Sequence, residues 1–488
     1  MSKIPRAPAA PPATSPSDPR YFDARDLETE MRRTFQICHE CRMCVNYCGS
    51  FPELFRRVDR DIDSGRAEGA ELLDDKDFAA IGDECWQCKL CYIKCPYTKD
   101  DEAGELLDFP RLMGREKAVR ARRNGVTLVD RVLGEPQLIG TMGAGVMSPV
   151  ANLVNANRLV RKVQEKVAGI SSEFPLPPMA KETFSSWCGA RAKKDAAKTT
   201  GEVGEVVLFA TCYGEYNAPH VAIAAVKVLE HNGLRVLMPG ELPNQPAAAK
   251  ATCCGMPNLD GGDIAAAAAK IRANVALLYP QAQAGLKIVV PSPTCGYTMK
   301  KEWAEIVPEP EVRAVAAATV DLMEFLVSLG REKKLKLEFK KGLGQVAYHA
   351  ACHLRAQKIG FPGARVLGKI PDTDVRVIEE CSAVDGTWGM KAAHFEKGRK
   401  YAQRLARGIR EAEPDVVVAD CTLSALRIDD EAKRGAGGSD TELPRIMHPI
   451  EALAEAYGLG DAASTSGITP AGTYAEGPHQ LSEGGGAP

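Results

Sequence analysis

The sequence predicts an α + α/β chain: an all-helical N-terminal module, a helical linker, then two α/β repeats with parallel sheets. Three observations carry this. Cysteines crowd between residues 31 and 100 in polar, helix-like text; residues 108–195 are basic with helical periodicity; and from 204 to 457 short apolar runs alternate with helical ones, twice over. The 488 residues, 45% apolar and 26% charged, describe an ordinary globular chain and exclude a collagen, a long coiled coil or a wholly disordered protein. With 62 basic against 64 acidic side chains the net charge is −2, so no overall field attracts a phosphate backbone and no nucleic-acid partner is expected. No apolar run is long enough to span a bilayer and no apolar signal segment opens the chain, so a cytoplasmic location is expected.

The expected organisation is a disordered arm over 1–20, a helical module over 21–107 and a basic helical linker over 108–203. The two α/β repeats follow over 204–342 and 343–459, with a disordered tail over 460–488. Six prolines mark the arm, and Gly, Ser, Thr and Ala mark the tail.

In the helical module Cys38, Cys41, Cys44 and Cys48, and again Cys85, Cys88, Cys91 and Cys95, read C-x2-C-x2-C-x3-C. Three thiolates at intervals of three can wrap three irons of one cubane. The fourth corner comes from elsewhere, and in two-cluster ferredoxins it comes from the other motif. The expected sets are therefore Cys38, Cys41, Cys44 and Cys95 for one 4Fe-4S cluster, and Cys85, Cys88, Cys91 and Cys48 for the second. Zinc also takes C-x2-C pairs, but it gives no reason for a third and fourth cysteine at these intervals, twice. The long interval from Cys48 to Cys85 resembles the all-helical ferredoxin module of the iron–sulfur subunits of succinate dehydrogenase and glycolate oxidase. Gly49 departs from the proline that often follows the last cysteine; no ligand is lost.

The linker begins at Asp108-Phe109-Pro110, a helix start followed by Arg111, Arg115, Lys117, Arg120, Arg122 and Arg123. Further on, Val150, Val154, Val160, Val163 and Val167 form an apolar stripe set against Arg158, Arg161, Lys162 and Lys166. This stripe is expected to pack against the other domains. The alternative is a peripheral membrane contact through 108–170, on the cytoplasmic face, or an acidic partner.

The α/β part is duplicated. Val206–Phe209 runs into Cys212 as Gln345–Tyr348 runs into Cys352, and Ile288–Val290 precedes Cys295 as Val416–Val418 precedes Cys421. Cys253-Cys254 sits between the first pair and Glu380-Cys381 between the second, 41 and 40 positions before the last cysteine of each half. Helical text fills the gaps over 221–231 and 392–412, the latter stopped by Pro414. Strand alternating with helix predicts parallel sheets, whose ligands collect beyond the carboxyl strand ends, where these cysteines fall.

This pattern resembles the CCG domains of the B subunit of heterodisulfide reductase, of glycolate oxidase and of the C subunit of anaerobic glycerol-3-phosphate dehydrogenase. The last is the nearest match through Cys381–Gly389. The resemblance covers residues from about 205 to 430 and implies a cysteine, a later Cys-Cys-Gly and a final C-x2-C in each repeat. The first repeat keeps Cys212, Cys253, Cys254, Gly255 and Cys295 but has Thr298 for the last cysteine, leaving four thiols for an iron–sulfur cluster or zinc. The second keeps Cys352, Cys381 and Cys421, with Glu380, Ser382 and Ser424 at the other positions. Three thiols need a fourth donor, for which His353 is the candidate, with His349 beside it and Glu380 and Asp420 behind. The competing reading is that these seven cysteines are small buried hydrophobes at strand ends, as Cys188 is expected to be. His39, inside a cysteine loop, is expected to make a local hydrogen bond rather than bind metal.

No glycine-rich dinucleotide fingerprint or P-loop is present. The expected function is iron–sulfur electron transfer between separate proteins. The resemblance implies a flavoprotein dehydrogenase or other redox donor and a quinone or redox partner as acceptor. The alternatives are a disulfide reductase acting at the first repeat and a non-redox zinc scaffold.

Overall fold

A computed structural model of the chain describes residues 4–100, 104–194, 201–242, 250–435 and 443–460. The N-terminal module is helical, with helices Ala24–Cys41, Ser50–Asp63, Asp75–Asp83, Leu90–Lys94 and Phe109–Asn124. Asp23 caps the first by accepting from the amides of Arg25 and Asp26, and Asp74 with Asp77 forms a capping box at the third. The helices close over Phe35, Phe51, Phe78 and Phe109, with Phe51 and Phe109 stacked at 4.6 Å.

Helix Phe109–Asn124 begins where the linker was expected, yet it completes this module. Phe109, Leu112 and Met113 enter the aromatic core. Its cations meet the module's acids, Arg115 with Asp26 at 2.7 Å, Arg120 with Asp83 at 2.5 Å and Arg123 with Asp75 at 2.8 Å. The basic run is thus largely neutralised within the fold. Residues 4–20, expected as a disordered arm, lie along the module: Ala13 is buried, and Arg6 pairs with Glu40 at 2.5 Å and Glu105 at 3.3 Å. The tail expected from 460 lies outside the described residues after Gly460.

The linker proper comprises helices Leu128–Leu133, Pro136–Gly143, Ser148–Ala156, Arg158–Ala168 and Phe184–Lys194. Here the expectation of a packed stripe is overturned. Val150, Val154, Val163 and Val167 face solvent, Leu153 and Leu159 are 72% and 76% exposed, and Arg161 turns inward. The inversion has a local cause: the buried Arg161 guanidinium donates to the carbonyls of Ser171 and Phe174, fixing the Arg161 side of helix Arg158–Ala168 against the protein while Arg158, Lys162 and Lys166 stay exposed. Among the described residues no helix is long and apolar enough to cross a membrane.

The two repeats carry one sheet each. Strands β1 (Gly204–Leu208), β2 (Leu234–Leu237), β3 (Lys287–Val290) and β4 (Thr319–Asp321) lie in the order β2-β1-β3-β4. Strands β5 (Gly344–His349), β6 (Thr373–Ile378), β7 (Val416–Ala419) and β8 (Ile446–Met447) repeat it as β6-β5-β7-β8. Every pairing is parallel. Identical strand order realises the duplication seen in the cysteine intervals. The repeats also exchange helices reciprocally: Pro219–His231 packs on Pro449–Ala456, and Leu322–Arg331 on Pro362–Leu367, over one shared core.

Candidate metal centres and cavity

In each sheet the chain leaves the central strand pair in opposite directions, β1 toward β2 and β3 toward β4, which opens a crevice at their carboxyl ends. Cys212 and Cys295 stand just past β1 and β3; Cys352 and Cys421 stand just past β5 and β7. The Cys253-Cys254 turn closes the first crevice. Gly255 follows at φ +89°, a conformation that strains any other residue, and starts the helix Met256–Asp260. Asn274 donates to the Cys253 carbonyl at 3.0 Å, and the buried indole of Trp303 donates to that of Cys254 at 2.9 Å. The sulfurs of Cys254 and Cys295 are 3.3 Å apart.

The eight cysteines of the helical module fall into two neighbourhoods. Burial pushes the Cys38 thiol far up, and Cys95, Cys44 and Cys41 push it the same way; Cys44 is pushed to about 12 by burial and then by Cys95 and Cys41. Burial likewise raises Cys91, whose next influences are Cys88, Cys48, Cys85 and, last, Cys44 of the other group, and Cys48, whose neighbour is Cys85. Both loops leave helical geometry where the thiols must converge: Arg42 ends the first helix at φ +51°, and Gln87 and Lys89 take φ +57° and +63°. No described cysteine is in a disulfide. Grouped thiols that raise one another are poor hosts for bare thiolates and good ones for a cationic core, so the donor chemistry fits iron–sulfur clusters. Among the described residues no three His, Cys, Asp or Glu side chains close on a point as around a single metal ion.

The seven cysteines of the repeats, expected from the sequence to form two sites, all line one cavity of about 380 Å³: Cys212, Cys253, Cys254 and Cys295 from the first, Cys352, Cys381 and Cys421 from the second. Its remaining wall includes Val132, Leu133, Pro136 and Ile139 of the linker helices. Hydrogen bonds from Cys212 and Cys254 draw the Cys253 thiol below its usual range. Thr298, at the position of the missing cysteine, is buried with its hydroxyl unpartnered; Ser424, its counterpart, is 2.9 Å from Ser382.

The candidates for a fourth donor in the second repeat have other engagements. His353, the first choice, has both ring nitrogens taken: Nε2 donates to the Gln87 carbonyl and Nδ1 accepts from the Thr294 hydroxyl, each at 3.0 Å. Burial lowers its pKa to about 4, and the neutral ring stacks on Tyr297 at 5.3 Å. It therefore ties the second cysteine loop of the helical module to the residue before Cys295, and metal ligation by it requires one of these bonds to break. His349 donates Nε2 to the Glu380 carbonyl at 3.2 Å and keeps Nδ1 free, but it is not in the cavity wall. Glu380 is exposed, and Asp420 takes the Tyr348 hydroxyl at 2.7 Å.

Module and repeats meet over more than His353. The Lys89 ammonium pairs with Glu302 at 2.8 Å in a buried setting, Trp388 donates to the Asp83 carbonyl at 2.8 Å, and Cys352 is an electrostatic neighbour of Cys88. No sequence signal marks this joint, because its partners lie far apart in the chain. His39 makes the expected local contact, with Asp59 at 2.7 Å, and the Cys188 thiol is pushed up to about 12 by burial, as suits an unreactive cysteine.

Residues 206–300 and 346–427 match the cysteine-rich domain family, CCG. The chain carries two CCG domains. Its relatives include the C subunit of the anaerobic glycerol-3-phosphate dehydrogenase of Escherichia coli, 25% identical over 67% of this chain and 76% of that protein. The glycolate oxidase iron-sulfur subunit of the same species is 23% identical over 81% of this chain and 89% of its own. The D subunit of the dihydromethanophenazine:CoB–CoM heterodisulfide reductase of Methanosarcina mazei is 25% identical over 52% and 59%. The two matched segments begin at β1 and β5 and end past Cys295 and Cys421, so each CCG domain spans one crevice.

Proposed function

We propose that this chain is an iron–sulfur electron-transfer subunit of an oxidoreductase, taking electrons from a flavoprotein dehydrogenase or another redox protein and delivering them to a quinone or redox partner. The observation that carries this is the grouping of thiols: two sets of four in the helical module, the inner one adjoining a cavity lined by seven more. Cys38, Cys41, Cys44 and Cys95 would hold one 4Fe-4S cluster, Cys48, Cys85, Cys88 and Cys91 the second, and Cys212, Cys253, Cys254 and Cys295 a further cluster or zinc. When bound, such clusters take up and release single electrons at potentials set by charge, hydrogen bonding and solvent access. The names of the relatives, one a dehydrogenase subunit and one an iron-sulfur subunit, support the assignment.

The protein's own part is burial and order. Cys38, Cys41, Cys44 and Cys95 are half-buried beside the exposed Met43 and Val45, a surface on which a donor protein can dock. Cys48, Cys85, Cys88 and Cys91 are buried, with Trp86 and the Lys89–Glu302 pair keeping water from them. The cavity wall is shared with linker helices whose outer faces expose Leu153, Leu159 and Val163 next to the exposed Arg158, Lys162 and Lys166. An apolar face ringed by cations suits peripheral contact with an anionic membrane and a lipophilic acceptor.

Anaerobic purification followed by iron, sulfide and zinc analysis with EPR tests the proposal. About eight irons per chain correspond to the helical module alone and about twelve to an added cluster in a repeat. A colourless zinc protein would overturn it. One observation favours a second reading, reduction of a disulfide substrate: the adjacent Cys253 and Cys254 stand together in the cavity wall. Thiol release on mixing reduced protein with disulfides supports that reading, and its absence removes it.

A further inference from the structure

We infer that Asp385 is the oxygen ligand that completes the second repeat's centre, joining Cys352, Cys381 and Cys421 where the fourth thiol is missing. The inference rests on the reading that this repeat holds an iron–sulfur cluster. Asp385 lines the cavity with all three cysteines, and its Oδ2 is fully buried without a hydrogen-bond partner. A buried carboxylate oxygen left bare is costly unless a cation faces it.

The turn that presents it is built for that position. Ala383 and Asp385 take φ +51° and +34°, unfavourable for residues with side chains, and Gly386 follows at +60°. A Cβ on Gly386 would lie 2.5 Å from an Asp260 carboxylate oxygen and 3.0 Å from the Met256 sulfur, so the turn seats closely against the first repeat, and its φ of +60° favours glycine. The Ser382 hydroxyl is tied to Ser424 at 2.9 Å and the Ala383 amide donates to the Cys381 sulfur at 3.2 Å, which holds the loop on the site.

The surrounding charges agree. Asp260 stands beside it as a second carboxyl, with Lys89 and Lys117 as the nearby cations. Asp385 in turn weighs on Cys352, Cys421 and Cys88. A carboxyl set among thiols and a second carboxyl is uncomfortable alone and well suited to a cationic core, for which carboxylate oxygen is an accepted ligand beside thiolate. The other donors near the site are spent, exposed or outside the wall, as described above.

The test compares the anaerobically purified full chain with Asp385→Ala, Asp385→Cys, Cys421→Ser and His349→Ala, reading metal per chain and EPR or Mössbauer spectra. Asp385→Ala should lose the same metal increment as Cys421→Ser while the helical-module signals stay intact, which also reports that the chain has folded. Asp385→Cys should keep the metal with a changed spectrum, and His349→Ala should leave it unaltered. Wild-type metal and spectrum in Asp385→Ala, with loss in Cys421→Ser, overturns the assignment of Asp385 alone. So does loss in His349→Ala with retention in Asp385→Ala. No change in either Asp385→Ala or Cys421→Ser overturns the reading of a second-repeat centre as well. Zinc in place of iron at this repeat overturns the cluster reading on which the assignment rests.

Discussion

Replacing His353 separates its two roles, bridge and metal ligand. His353→Phe keeps the ring and its stacking on Tyr297 but removes both hydrogen bonds, leaving the buried Gln87 carbonyl and the Thr294 hydroxyl without this partner. Each buried group so abandoned costs about 1–3 kcal/mol, so the joint between module and first repeat should weaken by about 2–5 kcal/mol. At about 1.4 kcal/mol per tenfold, opening of the joint rises between about thirtyfold and a few thousandfold. Amide hydrogen exchange on the metal-loaded chain is the assay, because it resolves local opening from global unfolding. Protection should fall over 85–91 and 292–297 and stay high in the strands of the second repeat. Unchanged exchange in both segments refutes the bridge, and loss of metal from the second repeat with exchange unchanged restores the ligand.

The buried pair Lys89–Glu302 should behave as a unit. Lys89→Met, which strands the Glu302 charge, should destabilise by about 3–5 kcal/mol, whereas Lys89→Met with Glu302→Leu should recover most of that in chemical unfolding. His448 is buried, donates to the Pro291 carbonyl at 3.0 Å and accepts from the Ile450 amide at 3.2 Å; burial lowers its pKa to about 4. Its contribution is therefore present above about pH 6.5 and lost as pH falls toward 4, up to about 3 kcal/mol, and His448→Gln should flatten that part of the stability–pH curve. On the linker face, Leu159→Asp with Val163→Asp should abolish co-sedimentation with anionic vesicles without changing iron content. Wild-type protein that stays in solution at moderate salt counts against membrane contact.

Much of the fold is written in spacing. The cysteine intervals mark the two loops of the helical module, and period and breakers fix β1, β3, β5 and β7 and the helix that stops before Pro414. The merging of two repeat sites into one cavity is not, since it follows from reciprocal packing of helices far apart in the chain. The linker stripe has the same periodicity whether it faces inward or outward; Arg161 and its carbonyl partners decide, and they are visible only in three dimensions. Asp385 carries no such signal, because the expectation of a fourth donor follows sequence proximity to Cys352, whereas a left-handed turn four residues past Cys381 supplies it. His353 stands out in the sequence beside Cys352, but its partner lies 266 positions away at Gln87.

Cross-ligation between the two cysteine loops is the central claim. EPR of reduced, metal-loaded Cys95→Ser, set beside Cys41→Ser and Cys88→Ser as markers of each centre, measures it. The Cys95→Ser spectrum should share the defect of Cys41→Ser and keep the signal that Cys88→Ser loses; a spectrum with the Cys88→Ser defect and an intact first centre contradicts it.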